Sequence, residues 1–122
     1  MNRPEMSLED RLDFIEYRQQ LLFSNTPYDR LLFEFNITAN ENQAIGDLFE
    51  SYRKKIGEKQ EVFSHQFESE MFEIVPHLHG NYHFVEFITK ELHEERRWEE
   101  VFVALYREDP KFQSYMSKKS RV

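Results

Sequence analysis

No cysteine occurs among the 122 residues, which excludes disulfides, thiolate nucleophiles and any zinc or iron–sulfur site built on sulfur. Glycine is scarce: Gly46, Gly57 and Gly80 are too few and too scattered to form a phosphate-cradling loop, so nucleotide-dependent chemistry is not expected. Long apolar runs are missing as well. The longest stretch free of Lys, Arg, Asp and Glu runs from Ile74 to Val85 and contains Pro76 and Gly80, whereas a membrane-spanning helix needs about 20 apolar residues. Residues 1–10 mix both charge signs without an apolar run, so a secretory leader is not expected and the chain reads as cytoplasmic.

What is present is a charged, aromatic chain with enough apolar residues for a core. Leu, Ile, Val and Phe number 34, above the level at which a charged chain stays disordered. The formal charge is −7, and residues 111–122 carry Lys111, Lys118, Lys119 and Arg121 without an acid, so residues 1–110 are more acidic still. That balance argues against nucleic acid and anionic membranes as partners. The 12 Phe, 6 Tyr and 1 Trp outnumber Leu and Ile together.

The periodicity predicts an all-α protein of five or six short helices in one domain spanning 1–122, with 111–122 a frayed basic tail. Ser7 caps a first helix running to about Phe23, whose stripe Leu8, Leu12, Ile15 and Leu22 is expected to face the core. Thr26-Pro27 starts a second helix that stops near Asn36. Thr38 and Glu41 form a capping box for a third helix over 39–56, with Gly57 as its cap. Ser64 is expected to cap a fourth helix, with Phe67, Met71, Phe72 and Val75 on one face and Pro76 at its end. A fifth stripe follows at Phe84, Phe87, Ile88 and Leu92, and a sixth at Trp98, Val101, Phe102, Leu105 and Tyr106.

No pattern specifies a reaction. Ser51-Tyr52-Arg53-Lys54 fits Ser-x-x-Lys, but the companion motifs are absent and helical spacing explains it. His93-Glu94-Glu95-Arg96-Arg97 has Arg97 where a zinc-protease helix needs its second His. The acidic clusters Glu68/Glu70/Glu73, Glu94/Glu95 and Glu99/Glu100 read as solvated helix faces. Arg53-Lys54-Lys55 with Lys59 is too small a basic patch to hold a nucleic-acid backbone. His77, His79 and His83 are the most ligand-like group, because neutral imidazoles suit zinc, nickel or copper. A fourth ligand would come from Glu86 or His65, yet the segment is a Pro/Gly loop in which imidazoles can simply face water. Catalytic residues and cofactors are therefore not expected.

The aromatic surplus points elsewhere, since exposed rings dominate interface energetics. The densest stretch, Leu21 to Phe35, nominates Phe23, Tyr28, Leu32 and Phe33 as a surface for another protein or a second copy of the chain. A transition-metal protein using the His-rich loop is the alternative. At Ile15–Leu22, Ile37–Glu41 and Glu95–Phe102 the chain resembles small helical Bacillus proteins of the YhaI-like type, and its length and texture resemble the YfmB-like ones. The resemblance implies a compact helical fold and carries over no functional residue.

Overall fold

The structure, a computed structural model, describes residues 6–120 and contains only helices among them. In order these are α1 (Leu8–Ser24), α2 (Pro27–Glu34), α3 (Ala39–Gly57), α4 (Ser64–Ile74), α5 (Tyr82–Glu94), α6 (Glu99–Tyr106) and α7 (Gln113–Ser120). Single 3-10 turns lie at Pro76–Leu78 and Pro110–Phe112.

Side chains at the starts absorb the orphan amide donors of the first turns. Ser7, Thr26 and Asn81 accept from the backbone N–H three residues on, each at 3.1 Å. Thr38 and Glu41 satisfy each other's backbone N–H at 3.1 and 2.9 Å, the expected capping box. α4 departs from expectation. Phe63 takes its N-cap position without a side-chain bond, and Ser64 is the first helical residue.

Three helices end alike, with a left-handed residue followed by an amide that reaches back five residues. Asn36, Lys59 and Arg96 take φ of 58°, 62° and 62°. The next amides, of Ile37, Gln60 and Arg97, donate to the carbonyls of Leu32, Lys55 and Leu92 at 3.0, 2.9 and 2.8 Å. Gly57 is therefore not the cap of α3; it stays helical while Lys59 turns the chain.

The core is aromatic. Phe67 of α4 is fully buried and meets Phe49 and Tyr52 of α3 edge-on at 5.2 and 5.0 Å, and Phe35 meets Phe84 of α5 at 5.0 Å. Trp98 stacks on Phe49 at 5.3 Å, which fastens the start of α6 to α3. Most of the ring surplus thus serves internal packing. α3, α4, α5 and α6 pack on one another around these rings, and α2 closes against α5.

Two further expectations change. Residues 111–120 do not read as a frayed tail: Asp109 accepts from the Lys111 amide at 2.9 Å, and Phe112 is buried against Phe102 and Tyr106. Phe112, with Tyr115 packed on Phe102 and His93, anchors a seventh helix whose own sequence has little amphipathic character. The second change is the face of α1. Its buried residues are Phe14 and Leu21, while Leu8, Leu12, Ile15 and Leu22 face outward. Both sets recur at helical spacing, but at about 100° per residue they centre roughly 120° apart, and α1 has one main neighbour, α2. The inward arc also carries Arg18, whose guanidinium lies 3.7 Å from the Phe33 ring centroid.

Leucines of equal size should therefore respond in opposite ways. Leu32→Ala, in the core, should cost about 2–5 kcal/mol in urea unfolding, whereas Leu12→Ala, measured at a concentration that keeps the chain monomeric, should change stability by less than about 0.5 kcal/mol. A large loss at Leu12 would contradict the outward face of α1.

Candidate interaction surface

Along α1 the outward side chains repeat with spacings of four, three, four and three: Leu8, Leu12, Ile15, Gln19 and Leu22. This is the seam pattern of a paired helix, with Leu8, Ile15 and Leu22 at d positions and Leu12 and Gln19 at a positions. The four aliphatics are 73%, 58%, 41% and 54% exposed in chain order. Phe23, 94% exposed, extends the apolar surface at the helix end. Glu9 and Glu16 border the seam on one edge and Arg11 and Arg18 on the other, each pair seven residues apart. Arg11 and Glu16 are exposed and form no ion pair within the described residues.

The helix bearing this seam is fixed from behind. Arg18 donates to the Phe33 carbonyl at 2.8 Å and to Asn36 Oδ1 at 2.7 Å, so a charged group occupies the carbonyl end of α2. Tyr28 of α2 donates its hydroxyl to Asn42 Oδ1 of α3 at 2.6 Å, and α1, α2 and α3 are thereby linked.

The surface expected at Phe23, Tyr28, Leu32 and Phe33 is not one patch. Tyr28 and Leu32 are 7% and 1% exposed and belong to the core, and Phe33 is half-buried beneath the Arg18 guanidinium. Phe23 alone of the four is exposed, near the end of α1. A two-helix corner packed on a larger body hides more apolar surface than sequence counting assigns to it. The missed seam carried a legible signal, the seven-residue repeat with acid on one edge and base on the other.

The three imidazoles diverge. His77 Nε2–H donates to the Phe35 carbonyl at 2.9 Å, His79 packs beside Phe72 at 5.6 Å, and His83 stacks on Phe87 at 6.0 Å. Among the described residues no group of three or more His, Asp or Glu is placed to hold a metal ion. Ser51 donates to its own helix at the Leu48 carbonyl, 2.8 Å away, as helical spacing alone would have it.

Several tyrosines end on carboxylates: Tyr106 donates to Glu68 at 2.9 Å and Tyr52 to Glu70. Burial, reinforced by the adjacent acids, pushes both phenols far above their ordinary pKa, so they act as neutral donors. Glu68 titrates above the usual carboxylate range because it is partly buried, although the Tyr106 hydrogen bond opposes the shift. Glu86, buried nearby, binds Lys111 at 3.0 Å, and this bond raises the lysine's pKa. These contacts tie α4 to α3 and to α6, and the Pro110 turn to α5; none of them pairs a nucleophile with a base. A further groove of about 710 Å³ lies between α2 and α5, with Leu31 and Phe87 flanked by Arg30, Glu34, Lys90 and Glu91.

Among the described residues no helix is long and apolar enough to cross a membrane. Compared with protein-family models, with curated proteins and with solved structures, the chain matches none.

Glu68 makes stability depend on pH in a definite sense. Its folded pKa exceeds the unfolded value, so the folded state holds the proton more tightly and loses stability as pH rises from about 4 through the folded pKa. Glu68→Gln, whose amide oxygen can still accept from Tyr106, should lack this decline. Urea unfolding from pH 4 to 7 should therefore show the variant gaining on the wild type, and parallel curves would refute the assignment.

Proposed function

We propose that this protein is a non-enzymatic helical interaction module that engages another protein, or a second copy of itself, through the outward seam of α1. The single observation that carries the reading is the unpartnered stripe of Leu8, Leu12, Ile15 and Leu22 on a helix already held in place by Arg18, Phe14 and Leu21. An ordered helix loses little further entropy on binding, and each aliphatic gains on the order of 1 kcal/mol when its remaining exposure is removed. The flanking charges favour a protein over a lipid surface: Glu9, Asp10, Asp13 and Glu16 outnumber Arg11 and Arg18, which opposes an anionic membrane. The cytoplasm is the compartment we assign to it.

The test is a double substitution on the seam, Leu12→Glu with Ile15→Glu, followed by sedimentation of purified protein and of tagged protein recovered from cells. The wild type should travel as a complex and the variant as a monomer with unchanged helical circular dichroism and an unfolding temperature within a few degrees of the wild type. A complex that survives the double substitution overturns the reading.

A further inference from the structure

We infer that the occupant of the α1 seam is a second copy of this chain, with the two α1 helices side by side in parallel and in register. The inference rests on the interaction reading above and goes further by fixing the partner and its orientation. Its basis is that the seam matches itself in one orientation only.

In a parallel pair each edge of the seam meets the opposite edge of the other helix, so a g residue faces the e residue five positions later. Arg11 then faces Glu16 of the second copy, and by symmetry Glu16 faces the other Arg11. Acid meets base along both sides. In an antiparallel pair each edge meets its own kind, which sets the Glu9/Glu16 edge against itself and the Arg11/Arg18 edge against itself. That arrangement is repelled along the acidic edge, the Arg18 guanidinium on the other edge being already held by the Phe33 carbonyl and Asn36.

Gln19 favours the same orientation. It is the one polar residue in the seam, and it is exposed. In a parallel in-register pair it lies opposite the other Gln19, and an amide carries both donor and acceptor, so two glutamines can satisfy each other. A lone polar a residue is a known device for fixing register. An antiparallel pair packs a positions against d positions, which would put Gln19 against Leu8 or Ile15 and leave its amide without a partner.

α1 is 17 residues long, just over two heptads, a length marginal for an isolated helix pair. Here α2 holds each helix in advance, so pairing need not supply the energy of helix formation. The body of each chain lies on the Phe14/Leu21 side, away from the seam, and leaves the approach open.

The absence of cysteine makes the test direct, because any thiol introduced is the only one. Leu8→Cys and Leu22→Cys are made separately in the full chain and equilibrated in a glutathione redox buffer, with Phe63→Cys, exposed at the start of α4, as control. A parallel in-register pair brings each seam cysteine against itself, within the roughly 7 Å between Cα atoms that a disulfide tolerates. Either antiparallel register separates like residues by about 15 Å or more along the axis. Both seam variants should therefore become disulfide-linked dimers in high yield while Phe63→Cys stays monomeric. Failure of both to self-link overturns the proposal. So does efficient linking of a Leu12→Cys and Leu22→Cys mixture, which would reveal an antiparallel pair.

Charge reversal supplies a measurement independent of thiols. Arg11→Glu alone and Glu16→Arg alone should each weaken self-association about 3- to 10-fold, and the double exchange should restore it. An antiparallel pair would instead be strengthened by Arg11→Glu, and a chain that is monomeric at all concentrations would overturn the inference outright. The interaction reading falls separately, only if a complex survives the Leu12→Glu and Ile15→Glu substitutions.

Discussion

Arg18 decides which side of α1 turns inward, and the remaining surface follows from that choice. Its guanidinium lies over Phe33, donates to the Phe33 carbonyl and to Asn36 Oδ1, and sits 5.4 Å from the Phe14 ring centroid. A planar cation with several fixed donors can stack on a ring and saturate a helix end at once, which a lysine could not do. Once Arg18 is committed there, Phe14 and Leu21 enter the body with it and Leu8, Leu12, Ile15 and Leu22 are left outside. A helix with two apolar arcs and one neighbour must leave one arc uncovered.

Behind α1 the molecule solves a different problem, the packing of many aromatic side chains in a small body. Edge-to-face contacts let Phe49, Tyr52 and Phe67 share one centre without face-to-face repulsion. Phenol and indole groups bring polar atoms into that centre, and each finds a carboxylate or amide: Tyr28 with Asn42, Tyr52 with Glu70, Trp98 with Glu50, Tyr106 with Glu68. No buried side-chain polar atom among the described residues lacks a partner. Glu50, Glu68 and Glu70 thus have a structural use beyond solubility, as acceptors at the margin of the core for the rings that need them.

The same acids shape what the exterior can bind. Held by tyrosines or by Lys111, Glu68, Glu70 and Glu86 are committed to contacts within the body, whereas Arg11 and Glu16 beside the seam are exposed and form no ion pair among the described residues. An apolar stripe edged by acid on one side and base on the other is directional. It discriminates between the two orientations of a partner helix by repulsion as much as by attraction.

Capping residues, proline positions and the 3.6-residue repeat were sufficient to locate the first six helices, though not every cap, because hydrogen bonds at helix ends are local and Ser7, Thr26 and Thr38 lie within a few residues of the groups they satisfy. Local pattern also supplied the apolar stripe of α1, but not its charged edges or its outward direction. Tertiary structure alone decided that this face is outside, that Tyr28 and Leu32 are inside, that Phe112 anchors a seventh helix, and that His77, His79 and His83 diverge. The reason is physical. Periodicity reports that an arc is apolar without reporting what covers it, and covering is set by contacts between residues far apart in the chain.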